Sequence, residues 1–284
     1  MPDKPRHADG YPPRGRELAQ SASLYLATRL GDLLDDLVIV GGIVPSLIIP
    51  QEFHDSSREP HVGTADLDLG LSLALLEGSR YQKLCQRLRQ ADFEPDTNSA
   101  GQPVSQRWRL KSTAHPITVD FLIPRSHATD QGGRLKNLEK GFAAIIIPGL
   151  ELAFQDRTQV ALEGTTPFGE QAKRSLWVCE AGAFTVLKAI AFRGRGEHKD
   201  AYDLVYVLLN DPRGVAEIAR RIATLKPKSL VQEALEILRQ DFTALEGVGT
   251  RRMADFLRDA DNDSLRADAA GAVRALLRHL RDSP

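Results

Sequence analysis

The sequence predicts an α+β chain in two lobes, and three observations point to it. Strand-like runs gather before residue 180, and nearly everything from Ala181 onward is helical in pattern. A hydrophobic content of 42% over 284 residues is enough to bury a substantial core. The first sixteen residues, rich in Pro, Arg, Asp and Gly, read as a disordered leader over 1–16, ahead of a core over 17–180 and a helical domain over 181–284.

The elements follow in order. Glu17 to Asp36 has the spacing of an amphipathic helix, and Leu37-Val38-Ile39-Val40 reads as a short buried strand. That strand runs into Gly41-Gly42-Ile43-Val44-Pro45-Ser46, a tight turn and helix start. Glycines there let a phosphate approach the backbone amides, the helix N-terminus adds a partial positive charge, and Ser46 offers a hydroxyl. The same pair also serves any ordinary strand-to-helix turn. Ala74 to Gln90 is expected to be a helix, leading to a strand pair near Gln106 and Ile117. Residues 142–179 alternate β-like runs with turns: Ala144-Ile145-Ile146-Ile147, Thr158-Gln159-Val160-Ala161-Leu162 and Leu176-Trp177-Val178-Cys179. Beyond them, Leu204 to Leu209 is a buried helical run, Asn210-Asp211-Pro212 breaks it, and amphipathic stretches follow around Val215, Leu230 and Val273.

Two runs carry the chemistry. In Asp66-Leu67-Asp68-Leu69-Gly70-Leu71 the strand period of two sends both carboxylates to one face, where one hard cation can meet two oxygen ligands. A short loop does the same by accident. Asp120 closes the run Ile117 to Leu122, and if the two strands are neighbours it joins Asp66 and Asp68. Three clustered carboxylates repel one another unless divalent cations neutralise them, so Mg²⁺ is expected.

Lys188 sits in Phe184 to Phe192, a run apolar nearly all round, so it must either snorkel out or meet an anion. Arg193-Gly194-Arg195-Gly196-Glu197-His198-Lys199 reads as a flexible basic turn, ordinarily a solvated connection. Asp200 and Asp203, three apart, share a helix face beside Lys199; pairing with the helix macrodipole is their plain structural reading.

Together these residues resemble a known family. Gly41-Gly42 and Ser46, then Thr64-Ala65-Asp66-Leu67-Asp68, then Val119-Asp120-Phe121, look like the signature of the DNA polymerase β-type nucleotidyltransferase superfamily. Lys188 and His198-Lys199-Asp200-Ala201-Tyr202-Asp203-Leu204 resemble the later motifs of its abortive-infection AbiEii-type toxins. The resemblance covers roughly residues 37–210. Two departures stand out: Ser46 comes late after the glycines, and the stretch from Gly42 to Asp66 is long and holds Pro50, Pro60, His54 and His61.

The resemblance implies a polymerase-β-like core, a mixed sheet flanked by helices, with a helical C-terminal lobe. It implies transfer of a nucleoside monophosphate from a nucleoside triphosphate to an acceptor hydroxyl, with two Mg²⁺ ions as cofactor. Asp66 and Asp68 would hold the ion that carries the triphosphate, and Asp120 would help hold a second. Lys188 would act with them, and Gly41, Gly42, Ser46, Thr64, Lys188, Lys199, Asp200 and Asp203 would bind the nucleotide, with the choice between Asp200 and Asp203 open. The family role is that of a toxin in a toxin–antitoxin or phage-defence pair acting on RNA, most plausibly tRNA, with an antitoxin protein as partner. A protein hydroxyl or an aminoglycoside-type small molecule would use the same chemistry. The competing class is an inactive nucleotide-binding regulatory protein.

The remaining features narrow the field. A formal charge of −1 leaves RNA binding to local patches, of which Arg107-Trp108-Arg109 with Lys111 and the turn Arg193 to Lys199 are candidates. Two cysteines, Cys85 and Cys179, have no metal-ligand spacing and fit a reducing compartment. No export signal or membrane span is legible, so a cytoplasmic protein is expected. Seven histidines are scattered; His54, His61 and His115 lie near the site in sequence, and none is assigned to it.

Overall fold

The computed structural model describes residues 5–12, 14–51, 59–64, 66–76, 80–111 and 117–281. The positions of His54 and His115 lie outside them. The chain is an α+β protein with a mixed sheet flanked by helices, and it divides into two compact units. Residues 14–44 and 63–179 form a sheet unit; residues 1–13, 45–62 and 180–284 form a helical unit. Both are discontinuous, whereas the sequence suggests lobes that follow one another with a boundary near residue 180.

The sheet unit opens with α1 (Gly15–Leu30) and β1 (Leu37–Val40). α1 stops at Leu30, short of the expected Asp36, because Gly31 turns the backbone to a φ of 54° and a 3₁₀ segment follows over Gly31–Asp36. After the turn at Gly41–Ile43 comes α2 (Val44–Ile48), which from Pro45 onward belongs to the helical unit, and then, back in the sheet unit, β2 (Asp66–Leu71). Of the helix expected over Ala74 to Gln90, the described residues form a 3₁₀ turn at Leu73–Leu76 and α3 (Arg80–Gln90).

β3 (Phe93–Thr97), β4 (Pro103–Leu110), β5 (Thr118–Ile123), β6 (Leu135–Glu139) and β7 (Phe142–Ile146) follow. α4 (Glu151–Gln155) then leads to the long hairpin of β8 (Arg157–Thr165) and β9 (Gln171–Cys179). Hydrogen bonding runs in the order β3-β4-β5-β2-β1-β9-β8, with β7 joined to β5 and β6 to β7. β2–β5, β5–β7 and β1–β9 are parallel and the other pairs antiparallel. Asp120 lies in the middle of β5, not at its end as its run suggests, because pairing with β7 carries the strand on to Ile123.

Alternation on the central strands divides the sheet into two chemically distinct faces. On one, Trp108, Phe121 and Phe142 are fully buried and meet edge to face, with ring centroids 5.0–6.4 Å apart. α3 sets the Arg89 guanidinium 5.7 Å from the Trp108 ring on that side. Their strand neighbours Arg107 and Asp120 point to the other face.

The helical unit holds α5 (Ala181–Arg195), α6 (His198–Asn210), α7 (Val215–Thr224), α8 (Lys228–Phe242), α9 (Val248–Phe256) and α10 (Asp263–Arg281). The expected flexible turn from Arg193 to Lys199 is instead a tight corner. α5 runs through Arg195, Gly196 closes it in the left-handed region at φ 69°, and Lys199 already belongs to α6. The expected leader is likewise ordered where described. Ala8–Gly10 forms a 3₁₀ turn, Arg6 bonds Asp255 at 3.2 Å, Arg258 bonds Asp9 at 2.6 Å, and Tyr11 meets Phe256 edge to face at 5.8 Å. Its polar composition cannot build a core, but here it finds charges and a ring on α9 and beyond.

No helix among the described residues is long and apolar enough to cross a membrane. Phe121→Ala should cost about 3–5 kcal/mol, because the cavity opens between two other aromatic rings; chemical denaturation followed by Trp fluorescence measures it, and a negligible loss would show that the aromatic cluster does not hold this face.

Candidate functional site

The residues singled out from the sequence fall into two clusters, one in each unit. In the sheet unit, parallel pairing of β2 with β5 sets Asp66 opposite Thr118 and Asp68 opposite Asp120. In-register residues of neighbouring strands share a face, so all three carboxylates project to the same side. Leu67 and Leu69 are buried on the other side, as the alternation requires.

The glycine turn adjoins this row. Val40 pairs with Asp68, and Gly41 follows at φ 75°. A Cβ built on Gly41 would lie 1.9 Å from Asp68 Oδ2 and 2.7 Å from its Cγ, so only glycine leaves room for that carboxylate. Gly42 continues the turn over Gly41–Ile43. Thr64 is buried and turns its hydroxyl to accept the Asp66 amide at 3.3 Å. α2 is only five residues long, so the dipole expected of a helix start is small there.

A residue not assigned from the sequence completes the row. Arg107 pairs with Asp120 across β4–β5, and its Nε and Nη2 donate to Asp120 Oδ1 and Oδ2 at 2.7 and 2.6 Å. Nη2 also stands 4.0 Å from Asp66 Oδ2. The bidentate bonds to Asp120 hold the guanidinium above even its ordinary range, and Asp66 and Asp68 add to the effect. Asp66 Oδ1 in turn accepts the Thr118 hydroxyl at 2.6 Å. By donor chemistry Asp66 and Asp68 suit a hard divalent cation: two carboxylates on one face, both partly exposed, beside a turn that makes room for one of them. Asp120 does not fit equally, because it is buried and each of its oxygens already accepts from Arg107. No group of three or more potential metal ligands is found among the described residues.

Ser46, Lys188, Lys199, Asp200 and Asp203 form the second cluster, in the helical unit. Lys188 neither snorkels nor stands alone: its ammonium donates to Asp200 at 2.8 Å and Asp203 at 2.6 Å. Lys199 reaches Asp203 at 2.6 Å and Arg195 clasps Asp200 at 2.6 and 2.7 Å. Burial alone would push Lys188 down, but Asp200 and Asp203 outweigh it and hold the lysine above its usual range. Burial alone would push Asp203 up; Lys188 and Lys199 overcome it and hold the carboxyl well below its usual range.

His61, unassigned from the sequence, ties Ser46 into this network. Its Nε2 lies 2.9 Å from Asp203 Oδ1 and its Nδ1 3.1 Å from Ser46 Oγ. An ionised carboxylate only accepts, so Nε2 carries the proton and Nδ1 accepts the Ser46 hydroxyl. The ring stacks on Tyr202 at 5.2 Å and meets Tyr206 edge-on at 4.8 Å. Burial, reinforced by the Lys199 charge, outweighs the pull of Asp203 and lowers the imidazole to about 4, so it is neutral at physiological pH.

The basic patches considered for RNA are paired within their own units. Arg109 and Lys111 bind Glu94 at 2.9 and 3.2 Å, and Arg193 binds Asp241 at 2.8 Å.

Two measurements check the second cluster. His61 binds a proton near pH 6.5 in the unfolded chain and only near pH 4 when folded, so the stability linked to it is complete above pH 6.5 and is lost as pH falls towards 4. Urea unfolding should therefore lose about 2 kcal/mol between pH 7 and pH 5 on account of this residue, and His61→Gln should remove that part; an unchanged pH difference would assign it elsewhere. Lys188→Met should cost about 3–5 kcal/mol by leaving two buried carboxylates without their shared cation, and a loss within error would show that they find other partners. In comparisons with known proteins, no family model matches the chain and no curated protein matches it.

Proposed function

We propose that the chain is a metal-dependent nucleotidyltransferase with a polymerase-β-like core, and that the acidic row of the sheet unit is its catalytic centre. The observation that carries this reading is the register of β2 on β5, which brings Asp66, Asp68 and Asp120 to one face beside the Gly41 turn. Nothing in sheet packing calls for three carboxylates in one row, and their mutual repulsion favours a cation there.

The ion, a Mg²⁺, would neutralise phosphate charge and polarise the phosphoryl oxygens. Asp66 and Asp68 would hold it, and Thr118 fixes the rotamer of Asp66 through the 2.6 Å bond to Oδ1. Gly41 keeps space for the Asp68 carboxylate, and with Gly42 it leaves the turn free of side chains where a triphosphate can approach backbone amides. Arg107 supplies fixed positive charge on the same face.

The acceptor this reading favours is an RNA hydroxyl, on tRNA, with the chain acting as the toxin of a toxin–antitoxin or phage-defence pair. Purified protein incubated with Mg²⁺, each α-³²P-labelled NTP in turn and total RNA should place label in RNA, and Asp66→Ala/Asp68→Ala should reduce it at least ~10³-fold, the scale of losing a main source of charge stabilisation. Label in an aminoglycoside or in protein but not in RNA would move the acceptor and sink the toxin role. Nucleotide binding without transfer would make the chain a regulatory nucleotide-binding protein instead.

A further inference from the structure

Arg107 changes how the acidic row can meet a cation. Asp120 shares the face of Asp66 and Asp68, and both of its oxygens accept from the Arg107 guanidinium. The arginine is also placed as a cation ligand would be. Its Nε and Nη2 take both oxygens of Asp120 in one plane, and Nη2 lies 4.0 Å from the nearer oxygen of Asp66. Its side chain is 9% exposed and that of Asp120 7%, while that of Asp66 is 26% exposed. Solvent and ions thus meet Asp66 more readily than Asp120, each of whose oxygens already accepts from a buried, bidentate partner.

We propose that Arg107 stands in for a second metal ion at Asp120, so that the acidic row takes up one divalent cation, held by Asp66 and Asp68. This rests on the metal-dependent reading above and departs from the two ions that the family resemblance implies. The guanidinium gives a charge that is always present and cannot dissociate, and it holds Asp120 as its counter-ion. A second ion would have to displace the arginine from both oxygens, or bind within a few ångströms of a like charge in a partly dry setting.

Binding of Mn²⁺ alone, with free ion counted by electron paramagnetic resonance, tests this without turnover. The wild-type chain should bind one ion, Asp120→Asn should still bind one with Kd within about threefold, and Asp66→Ala/Asp68→Ala should bind none. Arg107→Gln, its fold checked by circular dichroism, should gain a second ion that Asp120→Asn in the same background removes. Two ions in the wild-type chain, loss of the single ion in Asp120→Asn, or a folded Arg107→Gln that still binds one would each overturn the proposal and leave the nucleotidyltransferase reading standing. No ion in the wild-type chain would overturn both. If Arg107→Gln fails to fold, the wild-type and Asp120→Asn counts decide.

Discussion

The register of β2 against β5 is the constraint on which the rest of the site depends. With a side-chain period of two, a slip of one residue would turn Asp66 and Asp68 into the face that now holds Leu67 and Leu69, and would bury charge against Trp108 and Phe121. The apolar face therefore fixes the position of the polar one. Trp108 and Phe121, which pack with Phe142, lie a single peptide unit away from Arg107 and Asp120 respectively, and the hydrophobic gain on one side holds the charged row in line on the other.

The two clusters solve the problem of charge away from water differently. In the acidic row one arginine takes both oxygens of Asp120 and stands 4.0 Å from Asp66. In the helical unit Lys188, Lys199 and Arg195 surround Asp200 and Asp203, with bonds of 2.6–2.8 Å between ionised groups. Such a buried network adds little net stability over a well-packed apolar core, but it tolerates few alternative arrangements, because any misplacement strands a charge. The neutral His61 suits it, since a further positive charge there would meet Lys188 and Lys199.

Much of this was legible in the residues. The alternation of Asp66 to Leu71 gave the strand and its acidic face, and the apolar surround of Lys188 left it either to snorkel or to meet an anion, of which the structure shows the second, in Asp200 and Asp203. What was not legible depends on partners distant in the chain. Arg107 reads as an exposed basic edge until the antiparallel register of β4 on β5 places it on Asp120. His61 carries no local signal, because its partner Asp203 lies 142 residues further on. β3 was missed because Pro95 and two acidic residues are poor strand formers, and the structure accommodates them with a shift of register at Pro95/Asp96. α9 was missed because glycines stand at both Gly247 and Gly249, the latter so close to the Phe242 ring that a Cβ would lie 2.4 Å from it.

The discontinuity of the two units bears on how the chain matures. Residues 45–62 leave the ribosome early, carrying Ser46 and His61, yet the unit they belong to is supplied mainly by residues 180–284. The sheet unit has all its strands once Cys179 has emerged, while its own inserted segment still waits for helices that have not been made. For that interval an imidazole and a hydroxyl destined for the interior are wet, and the imidazole titrates as any free histidine does. Synthesis order thus makes the helical unit the last to close, and the arrival of α6, with Asp203 on it, is the event that dries His61.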